Sequence, residues 1–251
     1  MKRPLLLLSA IFISCITVKA QYIDQPRVRI GLKAGLNLSG FTRDVGVFDQ
    51  HSATYDNSPY VGAQNFIRLT CLFGITVDYP INNKLSFATE LLYNGRGGAY
   101  QIENPNVYDT DEYGNAITAY DRYNFQIDYV EAPLLLQYKI SVGQDNSTYF
   151  LYGGIAPAIL VKSRTNYNYY TGDAADASST TKKGILYNVN GFNISPIAGL
   201  KIAWNHDAPR MPFLDIRMEY ATLPVFNRTE SNGYNLRTGM WTLAIGGGLR
   251  F

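Results

Sequence analysis

Two histidines, two cysteines and a few acidic clusters are the groups in this chain whose types could support catalysis or metal binding. His51 follows Asp49-Gln50 and precedes Ser52, so an acid, a base and a nucleophile occur within four residues. Such groups act only when a fold holds them in hydrogen-bonded order, and nearness in sequence does not produce that order. Solvated loop residues are the expected reading. His206 lies in Asn205 to Arg210, a short polar link between two apolar stretches. Asp109-Thr110-Asp111-Glu112-Tyr113-Gly114 begins like a calcium loop, but position five is Tyr113 and position twelve is Tyr120, where a bidentate Glu is required. A polar turn over Tyr113-Gly114-Asn115 accounts for the same residues. No catalytic, cofactor-binding or metal site is assigned.

Recognition is the other chemistry on offer. Tyr100, Tyr108, Tyr113, Tyr120 and Tyr123, then Tyr167, Tyr169, Tyr170 and Tyr187, stand among Asn, Asp, Ser and Gly. Exposed Tyr in that company is found on adaptable binding surfaces. The same rings could instead pack loops together or extend an interfacial girdle. Both readings stay open at this stage.

The elements that must position these loops are strands. From Arg27 to Ser39, Val28, Ile30, Leu32, Ala34, Leu36 and Leu38 are apolar, and every intervening residue is charged, polar or glycine. That is a strand with one greasy face, longer than the usual globular strand of about 5–6 residues. The alternation recurs over Ile67–Tyr79, Leu85–Tyr93, Val130–Ile140, Ile194–Ile202, Leu214–Tyr220 and Trp241–Phe251. Tyr149–Val161 is an eighth strand with both faces fairly apolar, so its phase is open. Pro133, Pro157 and Pro196 lie within strands, and each is expected to mark a bulge or kink.

Links 80–84, 141–148 and 205–212 are short, whereas 41–65, 94–123, 163–190 and 221–237 are long and polar, in strict alternation. Short turns at one end and long loops at the other belong to a transmembrane β-barrel with both termini in the periplasm. The fold class expected is therefore all-β, an eight-stranded antiparallel up-and-down transmembrane barrel with long external loops. Arg29, Lys33, Arg68, Glu90, Glu131, Lys139, Lys201, Asp215, Arg217, Glu219 and Arg250 share the polar face. An Arg or Lys facing lipid at mid-membrane costs about 2–4 kcal/mol, so these residues are expected to turn inward and pair. Tyr79, Tyr93, Tyr138, Tyr149, Tyr220, Trp204 and Trp241 suit interfacial girdles.

The N-terminus agrees on the compartment. Lys2-Arg3, an apolar stretch from Leu5 to Val18 and the small Ala20 read as a secretory signal peptide over residues 1–20, with the barrel domain over 21–251. A retained anchor is the alternative. Phe12-Ile13-Ser14 before Cys15 is a poor lipobox. Loss of Lys2, Arg3 and Lys19 lowers Lys+Arg from 22 to 19 against 20 acids, a net charge of −1. No nucleic-acid footprint remains. Cys71 is then the single thiol, so no internal disulfide can form.

Arg29-Ile-Gly-Leu-Lys-Ala-Gly-Leu-Asn37, Glu90-Leu-Leu-Tyr93 with Gly95-Arg-Gly-Gly98, and Tyr129-Val-Glu-Ala-Pro-Leu-Leu-Leu-Gln-Tyr138 resemble the PorT-like outer membrane protein beta-barrel domain family of Bacteroidetes. Tyr152-Gly-Gly-Ile-Ala-Pro157 and Gly246-Gly-Gly-Leu-Arg-Phe251 resemble it as well. The resemblance covers essentially the whole mature chain. It implies a small integral protein of a Gram-negative outer membrane with no agreed catalytic residues, and it implies an accessory part in type IX protein secretion as one role. The expected function is non-enzymatic, with the long loops taking a surface protein or glycan. The expected partners are also outer-membrane lipid and the barrel-assembly machinery. A rim enzyme acting on lipid or peptide is the remaining alternative.

Overall fold

A computed structural model describes residues 28–42, 64–110, 113–114, 116–142, 147–171, 178–186, 189–204, 210–226, 228–229, 235–236 and 238–251. The expected signal segment 1–20, which includes Cys15, and Asp49, His51, Ser52, Asp111, Glu112, Asn115, Tyr187 and His206 lie outside them. No helix of the described residues is long and apolar enough to cross a membrane, which says nothing of strands.

The chain is all-β. Its strands are β1 Arg29–Phe41, β2 Gln64–Phe66, β3 Arg68–Pro80, β4 Leu85–Thr110, β5 Ala116–Glu131, β6 Leu134–Val142, β7 Ser147–Thr171, β8 Ser178–Ile185, β9 Phe192–Trp204, β10 Met211–Tyr220, β11 Arg228–Thr229, β12 Asn235–Leu236 and β13 Met240–Arg250. Eleven of them form one sheet, and β11 and β12 pair separately. Every pairing is antiparallel. β1 pairs with β3 on one side and with β13 on the other. β3 pairs with β4, and β4 pairs with β6 over its first residues and with β5 beyond them. β5 and β6 both pair with β7, which continues through β9 and β10 to β13.

The two faces differ as period-two alternation requires. On β10, Asp215, Arg217 and Glu219 are buried while Leu214, Ile216, Met218 and Tyr220 are exposed. On β1, Lys33, Asn37 and Ser39 are buried while Ile30, Leu32 and Leu36 are exposed. This sheet is turned inside out relative to a water-soluble protein, with charge inside and aliphatic surface outside. Tyr79, Tyr138, Tyr149 and Trp204 stand exposed toward one end, and Phe192 and Tyr220 toward the other. The phase of the strand expected over Tyr149–Val161 is now fixed: Phe150, Tyr152, Ala156 and Ala158 are buried, and Tyr149, Leu151, Ile155 and Ile159 are exposed.

Two of the predicted long loops are largely strand. The ladder between β4 and β5 runs from Leu92↔Glu131 out to Thr110↔Ala116, and β7 continues to Thr171 where it pairs with β8. Along these extensions the sequence loses its alternation while the backbone keeps its hydrogen bonds. The prolines also need correction. Pro133 does interrupt a strand, separating β5 from β6. Pro157 faces that same gap, and its carbonyl accepts from the Ala132 amide at 3.0 Å. Pro196 lies one residue past the end of the β9–β10 ladder, which stops at Ile197. Neither Pro157 nor Pro196 makes a bulge; each sits where a ladder leaves no amide to be missed. Among the described residues the register shifts lie instead at Val161, between Asp128↔Lys162 and Tyr129↔Leu160, at Ile140, between Lys139↔Phe150 and Ser141↔Tyr149, and between Asn104 and Tyr108.

Candidate functional site

The buried face carries five cations, Lys33, Arg96, Lys201, Arg217 and Arg250, and five carboxylates, Asp78, Glu90, Glu131, Asp215 and Glu219. Strands place them in layers. Nearest the short turns, Arg250 of β13 is ion-paired with Asp78 of β3, which also accepts from Gln137 Nε2 at 3.0 Å. The Arg250 guanidinium lies 4.8 Å from the Phe213 ring centroid. Lys201 Nζ stands 5.5 Å from both the Tyr152 and Phe213 rings and has no hydrogen-bond acceptor among the described residues. Ring faces attract a desolvated cation and hold it here in place of a carboxylate.

The middle layer is a chain of alternating charge. Lys33 Nζ lies 2.6 Å from Asp215 Oδ1 and 3.3 Å from Glu90 Oε1, and Arg217 Nη1 lies 2.8 Å from Glu90 Oε2. The Tyr152 hydroxyl donates to Asp215 Oδ2 at 2.7 Å. Above it, Arg217 Nε reaches Glu219 at 3.1 Å, and Arg96 pairs with both Glu219 and Glu131. Asn94 Nδ2 donates to Glu131 at 2.8 Å, and Asn37 donates to Asn94 and to the Gly95 carbonyl. β1, β4, β7 and β10 are each tied through these groups to a strand they do not pair with, whereas Glu131 of β5 meets only its neighbour β4.

An apolar cap covers the layer at the far end. Phe41, Phe125 and Phe226 meet edge-on or tilted with centroids 5.5–6.3 Å apart. Tyr100, Ile127, Leu186, Val225 and Met240 complete the cluster. Residues 221–226 reach this position through the Asn190–Val225, Val225–Thr238 and Thr222–Ile194 backbone hydrogen bonds and the Val189↔Phe226 bridge.

Of the polar-face residues read from sequence, Lys33, Glu90, Glu131, Lys201, Asp215, Arg217, Glu219 and Arg250 are buried together, while Arg29, Arg68 and Lys139 are only partly covered. Arg96 was missed, because Gly95–Gly98 reads as loop. Counting even steps from Glu90 through Leu92 and Asn94 would have placed it inward. Asp78 lay on the right face without being singled out. The loop tyrosines divide: Tyr100 is buried in the cap, Tyr123 lies 6.5 Å from it and Tyr167 a further 6.1 Å on, whereas Tyr113 is 80% exposed beside Gly114 at φ +81°. Tyr108, Tyr120, Tyr169 and Tyr170 occupy strand positions on β4, β5 and β7. Asp109 is on β4, and both histidines lie outside the described residues. Among the described residues no group of three metal-ligating side chains occurs.

A family described as "Outer membrane protein beta-barrel domain" matches residues 19–251. No curated protein sequence matches the chain. Among solved structures it is similar to the attachment invasion locus protein Ail of Yersinia pestis, with 12% identity, 89% of this chain and 98% of that chain covered, and a TM-score of 0.37. It is similar to the outer membrane protein OprG of Pseudomonas aeruginosa, with 15% identity, coverage of 90% and 97%, and a TM-score of 0.36. It is also similar to the outer membrane protease OmpT of Escherichia coli, with 8% identity, coverage of 94% and 99%, and a TM-score of 0.36.

Proposed function

The chain belongs to the outer membrane protein beta-barrel domain family, and from that premise we propose a closed, non-conducting, non-enzymatic barrel of eight staves that presents a rigid sheet to the cell exterior as a docking platform for a surface protein or glycan. Eight staves follow if β5 and β6 are one stave interrupted at Ala132-Pro133, and if β2 and β8 are additions to the edges of β4 and β7. Closure is supported by the pairing of β1 with β13, from Gly31↔Arg250 to Phe41↔Met240. Residues 1–20 are cleaved on export, and the short turns face the periplasm.

The observation that carries the platform is the length of the β4–β5 and β7–β8 hairpins. Both remain hydrogen-bonded as far as Thr110↔Ala116 and Thr171↔Ser178. Joining two staves takes only about 2–5 residues, so an ordered ladder of this reach serves something other than connection. Its tip carries the exposed Tyr113.

A photo-reactive residue at Tyr113, on intact cells, tests this. A discrete crosslinked adduct is expected, and it disappears when the β7–β8 hairpin alone is replaced by a tight turn that leaves the barrel assembled. Adducts that persist in the trimmed protein, or none from the full chain, would refute the platform. A deletion strain that fails to release C-terminally targeted cargo would assign the accessory secretion role instead. An altered lipid A mass spectrum would assign the rim enzyme.

A further inference from the structure

On the outward face of β7 the aliphatic surface changes to cationic surface in a single step. Ile159 and Val161 are exposed at 62% and 52%. The bulge at Val161 leaves that residue unpaired, so Val161 and the next residue, Lys162, both point outward. Arg164 follows on the same face, opposite Gln126 of β5 and Ile185 of β8. Lys183, opposite Asn166, brings a third cation one strand over, and Ile185 beside it is 64% exposed.

Acidic compensation on this face is slight. Asp128 lies 3.8 Å from Lys162, but it is buried and already accepts from the Tyr93 hydroxyl and from Gln126 Nε2. Arg164 and Lys183 are exposed and have no carboxylate partner among the described residues. The inner face of the same strands is apolar, carrying Phe125 and Ile127. The cations are therefore a property of the outward face, at the margin of the apolar belt.

We propose that Lys162, Arg164 and Lys183 bind the phosphate groups of an outer-leaflet lipid whose acyl chain lies along Ile159, Val161 and Ile185. Successive same-face residues on a strand stand about 6.6 Å apart, and neighbouring strands about 4.8 Å. Three cations at those spacings can surround one phosphate headgroup with charge-assisted hydrogen bonds. Continuity with the aliphatic surface selects an amphiphile over a soluble anion, since only an amphiphile satisfies both halves of the patch. The site rests on the proposed orientation, with these hairpins outside, only for the choice of leaflet.

Binding is measured in detergent micelles with bisphosphorylated lipid A and with the same lipid freed of phosphate. The wild-type protein should prefer the phosphorylated form. Lys162→Gln/Arg164→Gln/Lys183→Gln should weaken that binding roughly ten- to a hundredfold, and Lys162→Arg/Arg164→Lys/Lys183→Arg should retain most of it. Lys84→Gln, in the turn at the opposite end, should change nothing. All variants are compared as folded, heat-modifiable protein. Equal affinity for the dephosphorylated lipid, or a triple Gln variant that binds as wild type, overturns the proposal. A heparin fragment that binds through the same three residues while lipid A does not would make this a soluble-polyanion site, and that result overturns it too. Because the micelle assay is blind to orientation, it can succeed or fail independently of crosslinking at Tyr113.

Discussion

Glu90 and Arg217, 127 positions apart in sequence, meet inside the sheet at 2.8 Å with neither side chain exposed. Their strands are not neighbours: β4 pairs with β2, β3, β5 and β6, and β10 with β9 and β13. The contact therefore spans the interior. Charge at this depth is tolerated because each member has more than one counter-charge, Glu90 facing Lys33 as well as Arg217, and Arg217 facing Glu219 as well as Glu90.

Removing one member should be far worse than removing a pair. Taking away one partner of a buried ion pair costs about 3–5 kcal/mol, because the other is left uncompensated. Glu90→Ala leaves Lys33 with Asp215 alone and Arg217 with Glu219 alone. It should lower markedly the temperature at which the folded band is lost on an SDS gel, and Glu90→Gln/Arg217→Gln should restore part of that loss. Additive losses in the double variant would show that the two charges are not coupled.

The proposed eight-stave closure predicts silence in planar bilayers. Such an interior is about wide enough for side chains to fill, and here charged layers lie beneath an apolar cap. No stable porin-sized conductance is expected from the wild type. Phe226→Ala should stay silent as well, because removing a cap ring leaves the Arg96–Glu131–Glu219 layer intact below it. Large reproducible steps from either protein would mean that the stave count or the filled interior is wrong.

Legibility followed contrast. Where one face meets lipid and the other meets charge, as in β10, every inward residue could be read from alternation alone. Where polar and glycine residues break the alternation, as in β4 beyond Gly95 and β7 beyond Val161, strands read as loops, although Arg96 and Tyr100 there are buried. The cap was not legible either, since Phe41, Phe125 and Phe226 come from separate segments and meet only after the chain folds over the mouth. Lys201 was correctly turned inward, but nothing in the sequence shows that rings rather than a carboxylate receive it.

The seam between first and last strands requires close approach at Gly248. A Cβ there would overlap the Leu32 carbonyl and the Phe213 ring. Gly248→Leu should therefore sharply reduce heat-modifiable protein in outer-membrane fractions. Gly191→Ala, where an added Cβ meets nothing within 4 Å, should leave it unchanged. Equal yields from the two variants would contradict the register of β1 against β13.

Phe251 ends the chain on the outward face, in phase with Ile245, and is 55% exposed. Its backbone completes the seam: its amide donates to the Ile30 carbonyl at 2.8 Å and its carbonyl accepts from the Ile30 amide at 3.3 Å. Two contributions can thus be separated. The backbone bonds survive any substitution except deletion, whereas the ring anchors the strand at the membrane interface. Asp would place a charge on the same lipid-facing spot. Phe251→Asp and deletion of Phe251 should both lower the assembled amount sharply, and Phe251→Tyr should be tolerated because the ring and its interfacial preference remain. Trimming Asp111 to Asn115 should leave assembly intact, since the β4–β5 ladder is already complete at Thr110↔Ala116. Normal levels of the Asp variant in outer-membrane fractions would show that the seam closes without an apolar terminus, and would leave the ring as one more dispensable member of the aromatic belt.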